Sequence, residues 1–144
     1  MPQAVAGAGI VVTATSSAVP VLRREWLDAG THVNAVGACV PDARELDTAT
    51  VAAAGFIADS RESVIAESGD YLIAAAHGAI GPGHVRAELG DLLAGLAAPG
   101  AGRRDDAEIT VFESLGLAVE DLAAAAVAYR AAAELDAGVW ADFD

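Results

Sequence analysis

The chain has 144 residues, of which 54% are hydrophobic types, so it can build one folded domain in spite of a net charge of −13. That acidic balance argues against nucleic acid or an anionic membrane as a partner, because phosphates are repelled. All eight basic residues are arginine, which excludes a lysine Schiff base or a lysine general base within the chain.

Much of the apolar share is alanine, so a thin core is expected. The lone cysteine, Cys39, permits no internal disulfide and fits a reducing compartment. The start, MPQAVAGAG, lacks the basic and apolar regions of a signal peptide, and no apolar run is long enough to span a bilayer. A cytoplasmic location, with no membrane or nucleic-acid partner, is the expectation.

In chain order, Gln3–Ala6 reads as a helix stub, and the β-branched run Ile10–Thr15 as a buried strand. Thr31–Val36 reads as a second strand, and Leu46–Ala53 as a short helix capped by Asp47 or Thr48. Gly55–Asp59 is a third strand, followed by a helix over Ser60–Glu67. After the glycine-rich break Gly78–Gly83, HVRAELGDLLAG has helical spacing at Val85, Leu89, Leu92 and Leu93. PGAGRR is a loop, Ile109–Phe112 a fourth strand, and an alanine-rich helix runs from about Gly116 to Glu134. Strands alternating with helices predict a parallel sheet covered by helices, in a unit that looks incomplete.

Gly7-Ala8-Gly9 precedes a strand, whereas a dinucleotide fingerprint follows one, so these glycines read as a helix cap and turn. Small or hydroxylated residues recur at three strand ends: Thr13-Ala14-Thr15, Val36-Gly37-Ala38 and Glu113-Ser114-Leu115-Gly116. Parallel sheets bind ligands beyond their carboxyl ends, so these segments are either a ligand edge or ordinary strand-to-helix turns. His32, His77, His84 and Cys39 lack the paired spacing of a metal site, and no metal is expected. Nothing adjacent to Cys39 supplies a base or a resolving thiol. Glu120-Asp121 suits a helix start, and Arg103-Arg104-Asp105-Asp106 reads as a solvated loop.

Four blocks in this order resemble the C-terminal part of the ornithine cyclodeaminase/mu-crystallin family: GAGIVVTATSSAVPVLRREWLDAGTHVNAVGACVPDARELD, FIADSRESVIAESGD, ELGDLLAG and DDAEITVFESLGLAVEDLAAAAVAY. The likeness runs from about Ala4 to Tyr129. It implies a three-layer, Rossmann-like parallel sheet forming the second half of an NAD(P)-binding domain over residues 1–144, with 116–144 a C-terminal helix returning toward a dimerisation domain. The family's glycine-rich phosphate loop and the basic residues that grip the substrate carboxylate have no counterpart here.

Carried over by position, the resemblance places Thr13 and Thr15 at a strand end beside NAD or NADP. Ala35, Val36, Gly37 and Ala38 fall along the nicotinamide side, and Ser114 and Gly116 at the turn approaching the ring. Cys39 occupies the position of the catalytic aspartate of the cyclodeaminase branch, and Ala38 that of a glycine. A neutral thiol is a poor substitute for that aspartate, and the ketimine reductases of the family carry a small neutral residue there. The implied activity is therefore nicotinamide-dependent redox chemistry on a small amino or cyclic imino acid, by imine reduction or amino acid oxidation, in preference to cyclisation of ornithine. A homodimer, or association with a missing N-terminal half, is the expected assembly. A non-catalytic remnant or partner subunit is the alternative.

Overall fold

The computed structural model describes residues 2–139 and 141. Five strands form one all-parallel sheet: β1 (Ile10–Thr13), β2 (His32–Ala35), β3 (Gly55–Ala58), β4 (Val85–Glu88) and β5 (Thr110–Glu113), in the spatial order β1-β2-β5-β3-β4. The helices are α1 (Pro2–Val5), α2 (Thr48–Ala53), α3 (Arg61–Glu67), α4 (Gly69–Ala76), α5 (Leu89–Ala94) and α6 (Ala118–Glu134). Each of α2, α3 and α4 begins where a side-chain oxygen accepts an orphan amide: Asp47 from Thr50, Ser60 from Ser63 and Ser68 from Tyr71.

Strand alternation sorts the two faces. Val11, Val33, Val111 and Phe56 align in register on one face and pack against Val51 of α2, Val64 of α3, and Tyr71 and Ala74 of α4. One step toward the carboxyl ends, the same face carries Thr13, Ala35, Glu113 and Ala58. On the opposite face, α5 and the segment around Ala101 cover Ile57 and Ala87. Toward β1 that face is open, with Ile10 67% and Val12 62% exposed. Helices thus lie on both faces, but over β1 and β2 the second layer is missing.

The structure departs from the sequence reading in three places. The stretch expected as one helix divides into β4 and α5, because Val85 and Ala87 alternate inward against β3 before the leucine spacing begins. Four expected strands therefore become five. Helix α4 is an addition to the sequence reading, concealed by a glycine at its first position and by its start directly after α3 at Ser68. Arg103–Asp106 form an exposed loop, as the sequence suggests, and the Arg103 guanidinium donates to the Glu108 carbonyl and to Thr110 Oγ1, tying that loop to β5.

Gly7 adopts φ +73° just after α1, in keeping with a helix-ending turn. Within 116–144 the helix itself ends at Glu134, and Trp140 and residues 142–144 lie outside the described residues. No residue of α6 is buried, and its Val119, Leu122 and Val127 face solvent. Among the described residues, no helix is long and apolar enough to cross a membrane.

An unpaired strand edge at β1 and an uncovered apolar helix both favour association. The chain, expressed by itself, is expected to run above its monomer mass by light scattering, and Leu122→Glu to lower that mass. A monomer with a single cooperative unfolding transition would contradict this.

Candidate functional site

Beyond the carboxyl ends of β1, β2 and β5 the backbone amides have left the sheet ladder, and a buried donor without a partner costs about 1–3 kcal/mol. Two carboxylates accept these amides. Glu45, fully buried, takes the Thr15 N–H on Oε1 at 2.5 Å and the Gly37 N–H on Oε2 at 2.7 Å. Asp59 accepts on Oδ2 from the Leu115 N–H (2.7 Å), the Gly116 N–H (2.8 Å) and the Ser114 hydroxyl (3.3 Å), and on Oδ1 from the Ser60 N–H.

Two further carboxylates lie behind these. Glu113, on the last residue of β5, accepts from the Ser68 hydroxyl at 2.5 Å. Asp70 Oδ1 accepts the Glu45 and Leu46 amides, anchoring the segment that carries Glu45. Asp70 Oδ2 and Glu113 Oε2 are buried without a hydrogen-bond partner. Burial, above all, pushes the Asp70 carboxyl up to about 7, and burial with the nearby Asp70 charge pushes Glu113 well above the carboxylate range.

Glycines permit this closeness. A Cβ on Gly37 would lie 2.1 Å from the Thr15 carbonyl oxygen and 2.5 Å from the Glu45 carboxylate carbon. One on Gly69 would lie 1.8 Å from the Ala43 carbonyl oxygen.

The structure brings the expected site residues to one edge of the sheet. Thr13 and Ala35 are buried and point toward the α2–α4 face, and Thr13 Oγ1 has no partner. Thr15 and Val36 are exposed, Gly37 is half-buried, and Ala38 is buried with its carbonyl accepting the Gly69 N–H. Cys39 Sγ lies 3.3 Å from the Val36 carbonyl and 3.9 Å from that of Leu115, so the thiol bridges the ends of β2 and β5. Gly116 turns the chain there at φ +86°. A groove of about 370 Å³ follows β1 and reaches Thr13, Ala14 and Thr15.

Burial raises the Cys39 thiol, and the charges of Glu113, Asp59, Glu45 and Glu67 raise it further. The thiol is therefore held neutral, the opposite of an activated nucleophile. The histidines serve separate elements: His32 Nδ1 meets Thr110 Oγ1, His77 Nδ1 meets Thr48 Oγ1, and His84 Nε2 meets the Val51 carbonyl. Among the described residues no His, Cys, Asp and Glu cluster is arranged to hold a metal.

Sequence reasoning missed Glu45, Asp59, Asp70 and Glu113. One signal was present: Asp59 and Glu113 each end an otherwise apolar or small run, and a carboxylate there needs donors.

An open parallel α/β sheet carrying helices, with its special geometry gathered at the strand carboxyl ends, is the architecture of the doubly wound class, whose members bind ligands at that edge. The ornithine cyclodeaminase/mu-crystallin family profile matches residues 1–135, and the chain belongs to that family. The ketimine reductase mu-crystallin of Mus musculus is 43% identical over 127 residues, which is 88% of this chain and 37% of that protein. The structure of Thermococcus litoralis Delta(1)-pyrroline-2-carboxylate reductase in complex with NADH and L-proline superposes with a TM-score of 0.87 at 41% identity, covering 97% of this chain and 42% of that one. An archaeal alanine dehydrogenase dimer with bound NAD gives a TM-score of 0.79 at 38% identity, covering 94% of this chain and 41% of the other. The chain thus spans about two fifths of the length of the relatives it matches.

The buried acids give a signed pH dependence. A carboxyl raised in the folded state lends stability that is full below its ordinary value of 3.8 and is lost as pH climbs through about 7. Asp70→Asn keeps an acceptor for the Glu45 and Leu46 amides but cannot ionise. Between pH 5 and pH 8 the wild-type chain should lose on the order of 2–3 kcal/mol more than Asp70→Asn in chemical unfolding. Equal losses would show that Asp70 ionises in place without strain.

Proposed function

We propose that this chain forms the nicotinamide side of an NAD(P)-dependent enzyme that reduces an imine of a small amino or cyclic imino acid, or oxidises the corresponding amino acid. The observation that carries this is the strand-end edge itself. The amides of Thr15, Gly37, Leu115 and Gly116 are already occupied by Glu45 and Asp59, and carboxylates lie beneath. Such an edge is unsuited to a phosphate and suits a flat ring resting on small residues.

When bound, the cofactor would supply or accept the hydride. Gly116, exposed and with nothing within 4 Å of where a Cβ would lie, leaves room for the ring, and the Ser114 hydroxyl is oriented by Asp59. The reductase reading is preferred to cyclodeamination because Cys39 stays neutral: it neither takes up a proton as a carboxylate would nor attacks as a thiolate. The names of the relatives point the same way, since they include a ketimine reductase and a pyrroline-2-carboxylate reductase.

A dinucleotide owes much of its affinity to its pyrophosphate on a glycine-rich turn and helix start, and Gly7-Ala8-Gly9 lies on the wrong side of β1 to provide one. The 144-residue chain is therefore expected to show no turnover with ornithine, alanine or cyclic imines. Joined to the first half of a family member, it should quench or enhance NADH or NADPH fluorescence on titration and reduce a cyclic imine. Micromolar cofactor binding with imine reduction by the chain alone would refute the division of labour. A correctly folded fusion that binds neither cofactor would favour a non-catalytic partner.

Cys39 gives a narrower test in that fusion. Cys39→Ala should keep imine reduction within about threefold, well inside the 10²–10⁴-fold loss that follows removal of a true acid–base group. A loss in that larger range would make the thiol a catalytic residue.

A further inference from the structure

We propose that Glu45 and Asp59 are positioning residues, two separate clamps that fix the β1–β2 half and the β5 half of the edge facing the nicotinamide. This rests on the cofactor reading above and goes further, because it assigns a role to two residues whose carboxylate oxygens are taken up by backbone amides.

The geometry separates the clamps cleanly. Glu45 gives one oxygen to each of two strand ends, Thr15 after β1 and Gly37 after β2, so a single carboxylate sets the distance between them. Its own placement is determined from behind: Asp70 holds its amide, and its carbonyl accepts the amides of Val21 and Leu22. Asp59, at the end of β3, reaches across to the neighbouring β5 and gathers Ser114, Leu115 and Gly116 on one oxygen. Its amide donates to the Glu113 carbonyl, which sets its position relative to β5. Thr15 with Gly37 and Leu115 with Gly116 are thus two amide pairs, each held by a different carboxylate, on either side of Cys39.

Glutamine cannot replace Glu45 without loss. One of its two terminal atoms becomes an NH2 group facing a backbone N–H, so either Thr15 or Gly37 loses its acceptor. Asp59→Ala removes the acceptor for Leu115 and Gly116 altogether.

The test is amide chemical-shift mapping of the isotope-labelled 144-residue chain titrated with nicotinamide mononucleotide at millimolar concentration, after circular dichroism has shown which variants fold. In the wild type, the Thr15–Gly37 and Leu115–Gly116 pairs should both shift on addition. Glu45→Gln should lose the response at Thr15 and Gly37 and keep it at Leu115 and Gly116. Asp59→Ala should do the reverse, and if either variant fails to fold the other carries the test. A general loss of stability would move both pairs together.

Both pairs responding as in wild type, or both responses vanishing in a folded variant, would overturn the clamp assignment. Absence of any response in the wild type, with Thr15 and Gly37 still protected from hydrogen exchange, would refute the clamps' role at a nicotinamide edge, whereas the cofactor reading itself stands or falls with the fusion titration.

Discussion

Where a parallel sheet stops, its amides lose their partners, and satisfying them is the constraint on which the rest of this structure depends. Here the solution is anionic. Glu45 and Asp59 carry the amides of three strand ends, Asp70 holds the segment that delivers Glu45, and Ser68 both caps α4 and donates to Glu113. The α4 start, the 37–46 segment and the strand ends are consequently one hydrogen-bonded unit. Gly37 and Gly69 are required where its backbones meet too closely for a side chain.

Concentrating acids in one region has a cost that burial makes larger. Asp70 and Glu113 retain unpartnered oxygens, and their carboxyls resist ionising. Ionisation of either would place charge beside Glu45, which the Asp70 and Glu113 shifts both register. The same acids act on Cys39 at the surface of the cluster. Fold stability and the protonation of the edge are therefore set by the same groups.

The long-range organisation was legible because it rests on patterns extending over several residues. β-branched runs mark β1, β2 and β5; of the two cap candidates Asp47 is the one that starts α2, and Ser60, read as the first residue of its helix, is the cap of α3. β4 was concealed because its Val85–Ala87 alternation is short and runs straight into leucines at helical spacing. The site was legible only through resemblance, which located Thr13, Gly37 and Ser114 at one edge. The carboxylates that build that edge were not legible, because each partner lies far along the chain: Glu45 is 30 residues from Thr15, and Asp59 is 57 from Gly116. Local patterns carry no record of a pairing at that separation.

The same electrostatics bear on why a thiol at position 39 is compatible with this edge. The position lies between the ends of β2 and β5, above Glu113 and within reach of the charges of Asp59, Glu45 and Glu67. Partial burial and the charges of Asp59, Glu45 and Glu67 all favour the neutral form of the thiol there. A cysteine, already weakly acidic, is pressed further from ionising and contributes a small uncharged surface with a weak hydrogen bond to the Val36 carbonyl. The environment therefore sets the protonation preference, and the residue sets whether there is a proton worth transferring. With cysteine in place, any proton the proposed reaction requires has to come from another group or from solvent.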